Sequence, residues 1–156
     1  MSDAQLTPER NGFRYGLLTA GAMIVYTLIA VFAGFFDRLE AGGFNLVIIS
    51  AGISMAIANF KRAKDNRIAY LQGMGTGSVT AMVASIVLGF FFIIMSAIKP
   101  ELLDLSHARD LFGYDLSALM AFLAIILMGT LGGVIISLVA MQYFKSPDHK
   151  PIEGLE

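Results

Sequence analysis

Four long stretches of this chain contain no Asp, Glu, Lys, Arg or His: residues 15–36, 41–60, 68–98 and 116–144, which are 22, 20, 31 and 29 residues long. A helix needs about 20 mostly apolar residues to cross the ~30 Å hydrocarbon core of a bilayer. None of the four stretches alternates apolar and polar residues as a barrel strand would. In lipid the backbone must satisfy its own hydrogen bonds, and only helices do that here. The reading is an all-α polytopic membrane protein with four transmembrane helices. The third and fourth stretches exceed one straight crossing, which predicts tilt or projection into an interface.

Composition agrees. With the 16 Gly counted and the five Tyr left out, apolar residues reach about 63%, against about 45–50% in soluble domains. Charged residues are 15% where about 25% is usual. A soluble enzyme and a nucleic-acid binder are excluded on these grounds, and a net charge of −1 provides no global field for anionic partners. Without Cys there are no disulfides, thiolate metal sites or cysteine nucleophile. The polar start, residues 1–10, shows no cleavage pattern before the first apolar run, which is read as a retained anchor.

Basic residues predict orientation. Arg10, Arg14, Lys61, Arg62, Lys64, Arg67, Lys145 and Lys150 fall on one side of the four spans, and Arg38, Lys99 and Arg109 on the other. By the positive-inside rule both termini are expected in the cytoplasm. A bacterial inner membrane is the expected location. The expected organisation is a four-helix transmembrane domain over 1–144 and a cytoplasmic tail over 145–156. The connections are read as a tight hairpin at 37–40, a short basic loop at 61–67 and a larger acidic outer segment at 99–115. In that segment Leu102, Leu105, Arg109 and Phe112 share a face, which suggests a short outer interfacial helix. Lys61, Arg62, Lys64 and Arg67 are the expected contacts to anionic lipid, at around 1 kcal/mol each.

Lipid tails are as apolar as Leu, so small residues that let backbones approach mark the packing faces. The third span repeats Gly73, Gly77, Ala81, Ser85 and Gly89 every four residues, and the fourth repeats Gly129, Gly133 and Ser137. The first offers Gly12, Gly16 and Ala20; the second offers Ser50, Ser54 and Ala58, with Gly52 and Ala56 beside them. Such a face serves either this chain's own helices or a second membrane subunit.

No span core carries an ionisable residue, the usual sign of a proton or ion path. The uncharged polar residues are Tyr26, Thr27, Asn45, Asn59, Gln72, Thr76, Thr80, Ser85, Thr130 and Gln142. His107 and His149 lie outside the spans and are read as solvated. There is no metal-ligand spacing and no phosphate loop. No catalytic, cofactor or metal residues are assigned.

The opening Asn11-Gly12-Phe13-Arg14-Tyr15-Gly16, the basic turn Phe60-Lys61-Arg62, the Gly-rich start of the third span, Ile98-Lys99-Pro100-Glu101 and the exit Gln142-Tyr143-Phe144-Lys145 form a recognisable series. In these the chain resembles the small bacterial four-helix membrane proteins grouped as domain of unknown function 4199. The resemblance implies the architecture and no functional residue. The expected role is a non-enzymatic structural or accessory subunit of a larger membrane assembly, or a homo-oligomer. Its partners are the bilayer and other membrane subunits or further copies, with no nucleic acid. The alternative is a small transporter or channel with an uncharged polar pathway through Asn59, Thr76, Thr80 and Thr130.

Overall fold

The computed structural model describes residues 6–34, 39–65, 68–98 and 118–144. They form four α-helices and, among the described residues, no strand: α1 (Pro8–Phe32), α2 (Leu39–Ala63), α3 (Tyr70–Ile98) and α4 (Ala118–Phe144). All four are long and apolar enough to cross a membrane. The outer interfacial helix and the tail expected from the sequence lie outside the described residues, as do His107, His149 and Arg67.

The helices do not stop where charges begin. α1 starts seven residues before the charge-free run, because Thr7 caps it and Pro8 opens it: the Arg10 N–H donates to Thr7 Oγ1 at 3.3 Å. It ends at Phe32, followed by Gly34 at φ 71°, a left-handed position that suits glycine. Of the expected hairpin at 37–40, Leu39 and Glu40 belong to α2, and 37 and 38 lie outside the described residues. The expected basic loop likewise begins later. Lys61 and Arg62 are in the last turn of α2, where cations complement the carbonyl end of the helix and long side chains reach out of the apolar zone. The turn itself contains Lys64 and Asp65, and Asp65 takes φ 52°, a region Asp tolerates better than most residues.

α3 is the central helix. Its interfaces with α1 and α4 are the most extensive in the chain, and α2 packs across all three others. The α3–α4 seam is a register of small residues. A β-carbon added at Gly73 would overlap Met141, one at Gly77 would overlap Ser137, one at Gly133 would overlap Ala81, and one at Gly129 would overlap Ser85. Each step of four up α3 is matched by a step of four down α4. That is how an antiparallel pair meets when the i±4 ridges of both helices interdigitate. Gly89 ends the series beneath the Phe122 ring, 2.8 Å from where its β-carbon would be.

α1 approaches α3 in the parallel sense. A β-carbon on Gly12 would lie 2.8 Å from both the Thr76 carbonyl oxygen and Val79 Cβ, and one on Gly16 would lie 2.6 Å from Val83 Cβ. α2 closes the bundle with Ile49, Ile53, Ala56, Ile57 and Phe60, all buried. Ile53 reaches both Gly77 and Gly133, so it fills the notch between α3 and α4. The Ser50, Ser54 and Ala58 row singled out in the sequence is not this packed face and is only half-buried. The face that packs on α1 carries Gly52, against Thr19, and Ala56.

Replacing Gly77 and Ala81 together with Leu should cost ~1–3 kcal/mol at each site through overpacking, whereas Gly21→Leu, which faces open space on α1, should be tolerated. Thermal unfolding and size exclusion in mild detergent measure both; equal behaviour of the two variants would show that the seam does not hold the bundle.

Candidate functional site

The polar side chains of the spans are mostly turned back onto their own helices. Thr19, Thr27, Ser50, Ser54, Thr76, Thr80 and Ser137 each donate to the carbonyl four residues earlier, at 2.7–2.9 Å. This bond removes the hydroxyl as a free donor and adds nothing between helices. Thr76 and Thr80 are fully buried under α1, Thr130 is half-buried on α4, and Asn59 is exposed. The four residues of the expected polar pathway are therefore not gathered around one passage. Gln72 and Gln142 are exposed near the same helix ends as Asn59.

Two asparagines behave differently because their amides reach across helices. Asn11 is 2% exposed, and its Nδ2 donates to the Ala56 carbonyl at 2.8 Å. It ties the start of α1 to α2, a role that spacing alone did not indicate. Asn45 Nδ2 donates to Thr27 Oγ1 at 3.5 Å, and its buried Oδ1 has no partner. Beside it Tyr26 and Phe44 stack with centroids 5.0 Å apart. Thr130 Oγ1 is also buried without a partner.

The small residues that the sequence marks as a packing face are used within the chain: Gly73, Gly77, Ala81, Ser85 and Gly89 of α3 meet Gly129, Gly133 and Ser137 of α4 or their neighbours. Among the described residues α4 has more exposed large apolar side chains than any other helix, though all four have some. It is the span least covered by its neighbours, and Leu127, Leu131, Ile135 and Val139 all stand exposed on its outward side. On α3, Phe90 and Ile94 are exposed, and Phe90 meets Phe122 in a tilted contact at 5.2 Å.

The antiparallel order brings the described basic groups to one end of the bundle. Arg10 and Arg14 of α1 lie there with Lys61, Arg62 and Lys64 of α2. The four expected lipid contacts separate. Lys61 Nζ donates to the Phe144 carbonyl at 2.9 Å and so caps α4. Lys64 lies over the Phe60 ring at 5.9 Å from its centroid, a cation–π distance. Arg62 is exposed, and Arg67 is outside the described residues. Ala58, Lys61, Arg62, Tyr143 and Phe144 enclose an open hollow of about 330 Å³. Among the described residues no group of three or more His, Cys, Asp or Glu is placed to hold a metal ion.

This arrangement defines an all-helical, multi-pass membrane protein whose inner contacts serve packing. The family described as protein of unknown function (DUF4199) matches residues 14–111, more than half of the chain, and the protein belongs to that family. No curated protein and no solved structure matches it.

Replacing Asn11 with Leu should lower stability by about 1 kcal/mol, the scale of an interhelical hydrogen bond in lipid. Thr76→Val should cost less, since that hydroxyl bonds only its own helix. Chemical or thermal unfolding in detergent checks the order, and a larger loss at Thr76 would contradict this assignment.

Proposed function

We propose that this chain is a non-enzymatic integral membrane protein that acts as a structural or accessory subunit, either within a larger membrane assembly or as a homo-oligomer. The observation that carries the reading is the division of labour on α4. One line of small residues locks it to α3, and the opposite side leaves an exposed row of Leu127, Leu131 and Ile135 that none of the described elements covers. A span at the edge of a bundle, packed on α3 and α2 and open on its other side, is the natural place for another span to dock, since helix association in lipid needs only complementary packing.

The location proposed is a bacterial inner membrane, with both termini in the cytoplasm. The support is the excess of Lys and Arg flanking the end of the bundle that carries the start of α1 and the end of α4. A transporter or channel role gains little support from the spans, where the hydroxyls of Thr76 and Thr80 are occupied by their own helix.

The chain has no Cys, so single Cys substitutions start from a clean background. With Cys at Leu127, Leu131 or Ile135, a short bismaleimide applied to native membranes should yield discrete higher-mass adducts. Cys at Leu17 or Val25, exposed on α1, should yield far fewer. If the α4 positions cross-link no better than the α1 positions, the subunit reading fails.

A further inference from the structure

At the basic end of the bundle, Ala58, Lys61 and Arg62 of α2 and Tyr143 and Phe144 of α4 line an open hollow of about 330 Å³. That is the lower end of the ~300–1,000 Å³ range of small-ligand sites. Its chemistry is one-sided: among the described residues the lining holds two cations and a phenol and no carboxylate. The Lys61 ammonium donates to the Phe144 carbonyl at 2.9 Å. This offsets the negative end of α4, which would otherwise repel an anion, and leaves two further N–H donors on Lys61. Arg62 is exposed, and its planar fork matches a phosphate. Tyr143 is the kind of ring that sits at headgroup level.

The surroundings say which phosphate. Lys61 and Arg62 belong to the last turn of α2, so the hollow opens where the apolar spans end and not at their middle. Ser54 and Ser50 stand seven and eleven residues before Lys61, which puts them on the same line of α2. All three are half-buried. The two hydroxyls donate to the Ser50 and Leu46 carbonyls and present no free donor. Across from this line, α2 meets α4 at Ile53 and Gly133, and Gly132 faces open space. The seam leading away from the hollow therefore presents aliphatic side chains and hydroxyls already bonded to their own helix, with no polar demand, which suits hydrocarbon.

We infer that this hollow seats the phosphate of an anionic phospholipid on Lys61 and Arg62, with one acyl chain lying along the α2–α4 seam. The site is independent of the subunit reading, which rests on the outward side of α4. It also differs from diffuse attraction of basic residues to a charged surface, because it has a defined volume and named donors.

The full chain reconstituted in nanodiscs of mixed phosphatidylglycerol and phosphatidylcholine tests it, with retained lipid counted by native mass spectrometry. The wild-type chain should retain phosphatidylglycerol in preference to phosphatidylcholine. Arg62→Gln should reduce that preference about five-fold, equivalent to ~1 kcal/mol for one cation near the membrane surface. Ala58→Phe, which fills the hollow, should reduce it at least as much. Arg14→Gln, at the same end on α1, should leave it unchanged, and inorganic phosphate should not displace the lipid. The inference is overturned if Arg14→Gln and Arg62→Gln fall together, which means diffuse attraction. It is equally overturned if a folded Ala58→Phe variant keeps the preference, or if inorganic phosphate competes the lipid away. Should Ala58→Phe fail to fold, the comparison of Arg62→Gln with Arg14→Gln decides the matter alone.

Discussion

Close approach of α3 and α4 is the contact on which the bundle depends. In water a helix pair gains by hiding apolar surface; in lipid that gain is absent, because the surrounding tails are no less apolar than the side chains. What remains is contact density. Dispersion is worth only ~0.1–0.2 kcal/mol per atom pair and falls away with a gap of less than an ångström, so backbones must come close over several turns. The seam achieves this with Gly73, Gly77 and Ala81 facing Met141, Ser137 and Gly133 in turn. Ile53 then occupies the notch that the small residues leave. α2 is positioned by that one side chain as much as by any polar contact.

This logic explains which parts of the fold were legible in the sequence. A helix that crosses lipid must be continuously apolar, so the four spans are visible as runs without charge. Two helices that touch along i±4 ridges must both be small at every fourth residue, so the rows on α3 and α4 are visible too. Which rows meet, and in what register, is a property of two segments together and cannot be read from either. The second span shows the limit. Ser50, Ser54 and Ala58 have the same spacing as the α3 row, yet α2 packs through Ile49, Ile53, Ile57 and Phe60. Spacing marks surfaces that allow close approach; it does not say that anything approaches.

Helix ends were less legible for a related reason. The charge-free runs mark where lipid begins, and helices continue past that depth wherever caps or long side chains permit. Thr7 and Pro8 extend α1 at its start, and Lys61 and Arg62 ride on the last turn of α2. The two asparagine ties and the Lys61 cap on α4 were beyond reach from sequence. Each joins residues far apart in the chain, with Lys61 and Phe144 separated by 83 positions, and no local pattern encodes such a pairing.

The interhelical polar contacts differ between the two ends of the bundle. Toward the basic end, Asn11, Ile57, Phe60 and Met141 are almost completely enclosed, and the buried amide and the Lys61 ammonium both have partners. Toward the other end, the contacts among the described residues include the stacked Tyr26–Phe44 pair, the tilted Phe90–Phe122 pair and the 3.5 Å bond from Asn45. The buried polar atoms without partners, Asn45 Oδ1 and Thr130 Oγ1, are not at the basic end. Turning the Asn45 amide over would exchange which atom meets Thr27 and still leave one unpaired, because the Thr27 hydroxyl hydrogen is committed to the Met23 carbonyl. An unpaired amide atom in an apolar setting costs on the order of 1–3 kcal/mol. Among the described residues that cost falls on the half of α2 away from the basic end, whereas the interhelical amide and the ammonium at the basic end both have partners.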